Sequence, residues 1–350
     1  MTPILFDSDE LYFDNNGLGR LRDCISCKVM EERNGEYQCD FEYPVTGQNY
    51  DLIQMGRIIG VTHEDSEDIQ PFDIVGHSKP IDGIVTFHAN HVNYRQSKFT
   101  ARGTNIQSLA QALTLLRAGS FPAYETPFTY WTDITSSAYF PMADGIPHSV
   151  KSMLGGSEGS ILDTYGGEYE FDKFNVKLWA QRGQIRDFSI RYGVNMLEFN
   201  DEADCSECYN AVIPYWASGS EQVIGTMVTV GLTVTGRTEC VPLDISDRFE
   251  SKPTQAEVET EAANVLNETK PYNPVQTINV KFVNLSDYGY QEFENLLYCK
   301  LCDTINVIFP MYGLTDRYKI VKTVWNVLEN RYEEMELGSL STTLSEALGL

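Results

Sequence analysis

The chain of 350 residues carries 26 Lys and Arg against 50 Asp and Glu, a formal net charge of -24. That balance excludes a phosphate-binding footprint, which needs clustered cations, yet it suits a passage along which DNA slides without sticking. No run reaches the ~18 apolar residues of a membrane-spanning helix. The start, MTPILFDSDELYF, lacks the basic opening and long apolar stretch of a signal peptide, so synthesis and folding in the cytoplasm are expected.

The length exceeds that of one ordinary domain, and several lobes are expected. Residues 1–98 read as all-β. CISCKVMEE and EYQCDFEYPV flank Asn34-Gly35, a hairpin signal. The acidic stretch THEDSEDIQ (62–70) reads as a solvated hairpin tip, and Pro80-Ile81-Asp82-Gly83 as a turn between short strands. In TNIQSLAQALTLLRAG the residues Ile106, Leu109, Ala110, Leu113 and Leu116 share one helical face. Thr104 or Asn105 caps that helix and Gly119 ends it.

Residues 120–148, rich in aromatics and prolines, read as irregular. A short helix is expected at roughly 158–165 between two tight turns. KFNVKLWAQRG then alternates Phe174, Val176, Leu178 and Ala180 as a half-buried strand. A second β-rich region covers 186–245 and returns at 299–338. Between them, Pro253 and Thr254-x-x-Glu257 form a capping box ahead of Val258, Ala262 and Val265 on one helix side, and Ile278, Val280 and Phe282 alternate as a strand. The expected class is α+β, mainly β, with two small barrels (1–98, and 186–245 with 299–338). An α/β lobe at 99–185 and a helix–strand insertion at 246–298 packing with it lie between, and a helical tail follows at 339–350.

Four patterns invite chemistry. Gly155-x-Ser157-x-Gly159 spells the nucleophile elbow of serine hydrolases. That elbow needs a strand before it, a long helix after it and a His later in the chain. The five histidines, His63, His77, His88, His91 and His148, all precede Ser157, SVKSML is no β-branched run, and Gly166-Gly167 cuts a following helix short. A turn is the better reading. Of eight cysteines, six form C-x-x-C pairs: Cys24/Cys27, Cys205/Cys208 and Cys299/Cys302. Two such pairs build a zinc site only on tight turns. Here consecutive pairs lie about 90 to 180 residues apart and the first reads as a strand, whose residues i and i+3 diverge, so free reduced thiols are expected. His88-x-x-His91 on a strand diverges likewise, which favours structural histidines. Glu168, Glu170 and Asp172 alternate and share one strand face, a carboxylate row suited to general acid–base work but equally to an acidic surface. No catalytic residue, cofactor or metal ligand is assigned.

Three segments together resemble the N-terminal region of phage and prophage minor structural proteins, the tail-associated or baseplate-hub family of long-tailed phages. They are LGRLRDCISCKVMEERNGEYQCDFEYPV (18–45), LGGSEGSILDTYGGEYEFDKFNVKLWAQRG leading into SIRYGVN, and CDTINVIFPMYGLTDRYKIVKTVWNVLENRYEEMELGS (302–339). The resemblance implies two barrels of the tail-tube type and a homotrimeric ring, six barrels in pseudo-sixfold array around an axial channel. It implies a virion component at the tail tip that joins tube to tip beside distal tail or tube proteins, the tape-measure protein and tip or fibre proteins. DNA would pass without specific binding, and no enzyme activity would reside in this region. The glycine segment would then be a structural turn. The alternatives are a tail-associated cell-wall hydrolase, peptidase or lysozyme-like, and a carbohydrate-binding tail adhesin.

Overall fold

The computed structural model describes residues 2–63, 68–78, 82–121, 123, 125–192, 196–231, 236–249, 251–282, 299–310 and 314–339. Residues 64–67 of the expected tip, Pro80 and Ile81 of the expected turn, the segment 283–298 and the helical tail from 340 lie outside the described residues. The fold is mainly β. The chain divides into two compact units, Met1–Phe199 with Asn279–Gly338, and Asn200–Ile278. Among the described residues no helix is long and apolar enough to cross a membrane.

The first strands are β1 (Ile4–Phe6), β2 (Gly19–Arg20), β3 (Ser26–Glu32), β4 (Tyr37–Pro44), β5 (Ile58–Thr62), β6 (Ile69–His77) and β7 (Ile84–His91). They follow one another in the sheet as β3-β4-β7-β6-β5-β1-β2, every pair antiparallel. Alternation sets the faces. Tyr37, Cys39, Phe41 and Tyr43 of β4 point into the core while Gln38, Asp40 and Glu42 do not. The β3–β4 hairpin turns at Asn34, whose φ of 60° is the left-handed conformation that Asn tolerates. That turn is the one expected from Asn34-Gly35.

Next come β8 (Thr100–Ala101), α1 (Leu109–Ala118), β9 (Thr129–Thr132), β10 (His148–Ser149), α2 (Val150–Leu154), α3 (Ile161–Tyr165), β11 (Glu168–Asp172) and β12 (Asn175–Trp179). Helix α1 starts later than the sequence suggests. Its cap is Ser108, which accepts from the Gln111 N–H, because Asn105 adopts a left-handed φ of 56° that cannot open a helix. Leu109, Ala112, Leu113, Leu115 and Leu116 are buried, whereas Ala110 is exposed. Helix α3 is shorter than 158–165 and capped by Ser160, and SVKSML contributes α2. β12 lies between antiparallel β11 and parallel β9, with Val176 and Leu178 buried as expected and Ala180 exposed beyond its end.

β13 (Ile185–Arg191) and β14 (Met196–Asp204) lead to the second unit. There β15 (Ala211–Ser218) pairs with β16 (Glu221–Ile224), β17 (Val228–Thr229) and β18 (Cys240–Asp244). Helix α4 (Gln255–Thr269) follows, opened by the Thr254–Glu257 capping box. Val258, Ala262 and Leu266 are its buried stripe, Leu266 taking the place expected of Val265. The stripe packs on Val212 and Trp216 of β15. Helix and sheet thus form one unit, where the sequence boundaries put 246–298 with the 99–185 lobe. The reason is the match between that stripe and the inward face of β15.

β19 (Val275–Phe282), β20 (Thr304–Phe309), β21 (Leu314–Asn326) and β22 (Arg331–Ser339) complete the chain. The main sheet has 13 strands in the order β14-β19-β22-β21-β3-β4-β7-β6-β5-β1-β2, with β20 joining β21 to β13. β21 pairs with β20 through Leu314–Lys319 and with β3 through Lys322–Asn326. Strands of both β-rich regions therefore meet in one sheet, where β13, β14 and β20–β22 join β1–β7, while β15–β18 form a separate four-stranded sheet.

Candidate functional site

The inward row of β3 is Cys27, Val29 and Glu31, so the pleat that buries two apolar side chains also buries a carboxylate, 3% exposed. A buried carboxylate needs a partner. Arg182 supplies it, Nη1 lying 2.7 Å from Glu31 Oε1. His63 Nδ1 lies 3.6 Å from the other oxygen and 3.1 Å from the Tyr37 hydroxyl. Arg182 reaches this place because the next residue is Gly183, where a Cβ would collide with the Cys302 carbonyl. The Gln184 N–H then donates to Asp303 Oδ1 at 2.8 Å, and Arg186 Nε to Oδ2 at 2.6 Å. Lys300 N also donates to Asp303.

These groups line a polar cavity of about 360 Å³ with Asp68, Gln70, Glu170, Asp172 and Lys177. The carboxylate row expected on β11 is real. Lys319 Nζ lies 2.6 Å from Glu168, Lys177 Nζ 2.8 Å from Glu170, and the Gln70 amide donates to Asp172 at 3.1 Å. Glu31, Glu168, Glu170 and Asp303 are each tied to a cation at 2.6–2.8 Å. Carboxylates so engaged fix neighbouring segments in place. Arg182, Lys319 and Asp303 were not singled out from the sequence, since each meets its partner more than a hundred residues away.

The other candidates separate. Ser157 sits in the bend between α2 and α3, not between a strand and a long helix, so no elbow is built. Gly156 and Gly159 supply positive φ of 78° and 71° for the turn. The histidines bond elsewhere: His88 to Asp40 at 2.9 Å and His148 to Asp144 at 3.1 Å, while His77 is exposed. His88 and His91 diverge as the strand period requires. Asp40 neighbours His88 because it is its register partner on β4. His91 is fully buried, stacked on Tyr37 at 4.4 Å, and its Nδ1 accepts from the Asn93 N–H, while Nε2 has no partner among the described residues. Burial, with Lys151, Arg95 and His63 adding repulsion, pushes its pKa down to about 3.

Cys205 and Cys208 form a disulfide, which corrects the expectation of free thiols for that pair: their Cα atoms lie 4.9 Å apart, within bridging reach. Among the described residues Cys24, Cys27, Cys39, Cys240, Cys299 and Cys302 take part in no disulfide. Cys24 precedes β3 and meets Cys27 rather than diverging from it, and Cys27 lies 3.7 Å from Cys39. Burial pushes the Cys299 thiol up to about 12. Among the described residues no three His, Cys, Asp or Glu side chains converge as a metal site.

No family model matches the sequence, and no curated protein sequence matches it. Solved structures do. Prophage tail protein gp18 from Listeria monocytogenes EGD-e is similar with a TM-score of 0.61 at 14% identity, covering 100% of this chain and 97% of that one. The tail protein from Neisseria meningitidis MC58 gives 0.62 at 10% identity, covering 99% and 98%. The prophage MuSo2 43 kDa tail protein from Shewanella oneidensis gives 0.62 at 11% identity, covering 96% and 98%.

Proposed function

We propose that this chain, whose fold is that of prophage tail proteins, is a non-enzymatic structural hub at the tip of a phage or phage-derived tail. Three copies close into a ring, two small barrels from each standing six around an axial channel. The ring joins the tail tube to the tip, beside tube, tape-measure and tip or fibre proteins. The extent of the likeness carries the reading: the alignments run through 96–100% of this chain and 97–98% of each tail protein. Both β-rich regions and the segments between them are therefore shared, rather than one common module.

The work of such a hub is geometric. Ion pairs such as Arg182–Glu31 and Lys319–Glu168 hold separate segments at fixed spacing, and a net charge of -24 lets DNA pass without retention. Like-charged copies repel at a range that salt screens beyond about 8–10 Å. Sedimentation at rising salt should show a trimer that strengthens, and imaging of the assembled particle should place three copies at the tip. A strict monomer under all conditions, including with its tail partners, would overturn the reading.

A further inference from the structure

One face of the β11-β12-β9 sheet sets charged and indole side chains side by side. Register places Glu170 beside Lys177, and Lys177 beside Trp131, with Glu168 beside Trp179. The opposite face, Tyr169, Val176 and Leu178, is buried. Trp131 is 46% exposed, and its ring meets Trp179 edge-to-face at 4.6 Å. Trp179 is locked in turn, its Nε1 donating to Glu170 Oε2 at 2.7 Å while Lys177 holds Oε1 at 2.8 Å. The exposed Trp131 indole thus rests edge-to-face against a Trp179 ring that is itself fixed by a hydrogen bond.

Glu170 and Lys177 belong both to that scaffold and to the polar cavity. The cavity's volume of about 360 Å³ falls in the range of small-ligand pockets, ~300–1,000 Å³. Its lining sets five carboxylates against four Lys and Arg side chains, nearly balanced. Charge balance selects neither an anion nor a cation. Closely spaced carboxylate, amide and ammonium groups match the alternating donors and acceptors of vicinal hydroxyls. The negative face of a fixed indole ring attracts the slightly positive C–H face of a sugar ring.

We infer that this face and the adjoining cavity form a binding site for a neutral oligosaccharide, one ring stacking on Trp131 and the next reaching hydroxyls into the cavity. Such a site adds surface recognition to the chain.

The test is titration of the full chain with cellotetraose, maltotetraose and chitotetraose, and with sialyllactose as the anionic control. Tryptophan fluorescence and saturation-transfer NMR report binding. At least one neutral tetrasaccharide should bind saturably with an affinity indifferent to salt. Trp131→Ala, at an exposed position, should weaken it roughly tenfold or more, and Trp131→Phe should recover part of the loss. No binding by any neutral probe at millimolar concentration would overturn the inference, as would full binding by Trp131→Ala. Binding of sialyllactose alone, falling with salt, would also overturn it. A Trp131→Ala change that alters the sedimenting mass but not saccharide affinity would assign the indole to a contact between copies instead.

Discussion

Moving from about pH 7.5 to about pH 5 probes the environment of His91, because an ordinary histidine titrates between them. In the folded chain His91 stays neutral, its pKa pushed down to about 3 by burial from the ordinary value of 6.5. The folded value is the lower one. Stability is therefore intact above the unfolded value and falls as pH drops through 6.5, because the unfolded chain binds a proton that the folded chain refuses. Each pH unit below 6.5 costs about 1.4 kcal/mol, so about 2 kcal/mol is lost by pH 5. His91→Phe keeps the stack on Tyr37 and removes the titration. It forgoes the bond from the Asn93 N–H, about 1 kcal/mol, but also removes the unpartnered Nε2. Urea unfolding of both proteins at the two pH values isolates the residue, since the carboxylates common to both cancel. The parent should lose about 2 kcal/mol more than the variant between the two conditions. Equal losses would refute the account and mean that His91 is protonated in the fold, or that its ring opens to water.

Arg182→Met leaves Glu31 buried beside His63 alone and should cost about 3–5 kcal/mol in urea unfolding, with Glu31→Gln in the same chain recovering much of it. Gly183→Ala drives a methyl into the Cys302 carbonyl, so it should destabilise by about 1–3 kcal/mol and loosen amide protection at Gln184 and Thr304 in hydrogen exchange. Asn34 ties the β3–β4 turn to β11 by donating to the Gly167 carbonyl at 3.0 Å and accepting from the Tyr169 N–H at 2.8 Å. Asn34→Asp aims a carboxylate oxygen at that carbonyl and should lower stability by about 1–3 kcal/mol, read by thermal unfolding; an unchanged midpoint would show that the clamp is dispensable.

What was legible in the sequence was local. Asn34-Gly35 marks its hairpin because few residues accept a positive φ, and Thr254-x-x-Glu257 marks the start of α4 because both capping partners lie within one turn. The period of two placed Val176 and Leu178 inward and sent His88 and His91 to opposite faces. The resemblance to tail proteins, drawn from three separated segments, agrees with the solved structures that share the fold. Illegible features depend on partners far along the chain. Nothing near Glu31 announces that Arg182 will neutralise it, and nothing near Trp131 announces Trp179. The α1 cap was misplaced because Thr104, Asn105 and Ser108 all have capping side chains, and only backbone geometry chooses among them. The second unit was divided because a helix stripe does not name the sheet it will cover.

The pairing of β3 with β21 has a consequence for the order of events during synthesis. β3 emerges from the ribosome well before β21, the strand that covers its free edge and lies far along the chain. Contacts so distant in sequence form late, and an uncovered edge invites pairing with other nascent chains. β3 meets that wait with charge: Lys28 and Glu32 stand on its outward face. Once those later strands are made, the same two residues meet Glu333 and Lys322, each at 2.6 Å. The groups that guard the edge in the growing chain become the stitches that close it.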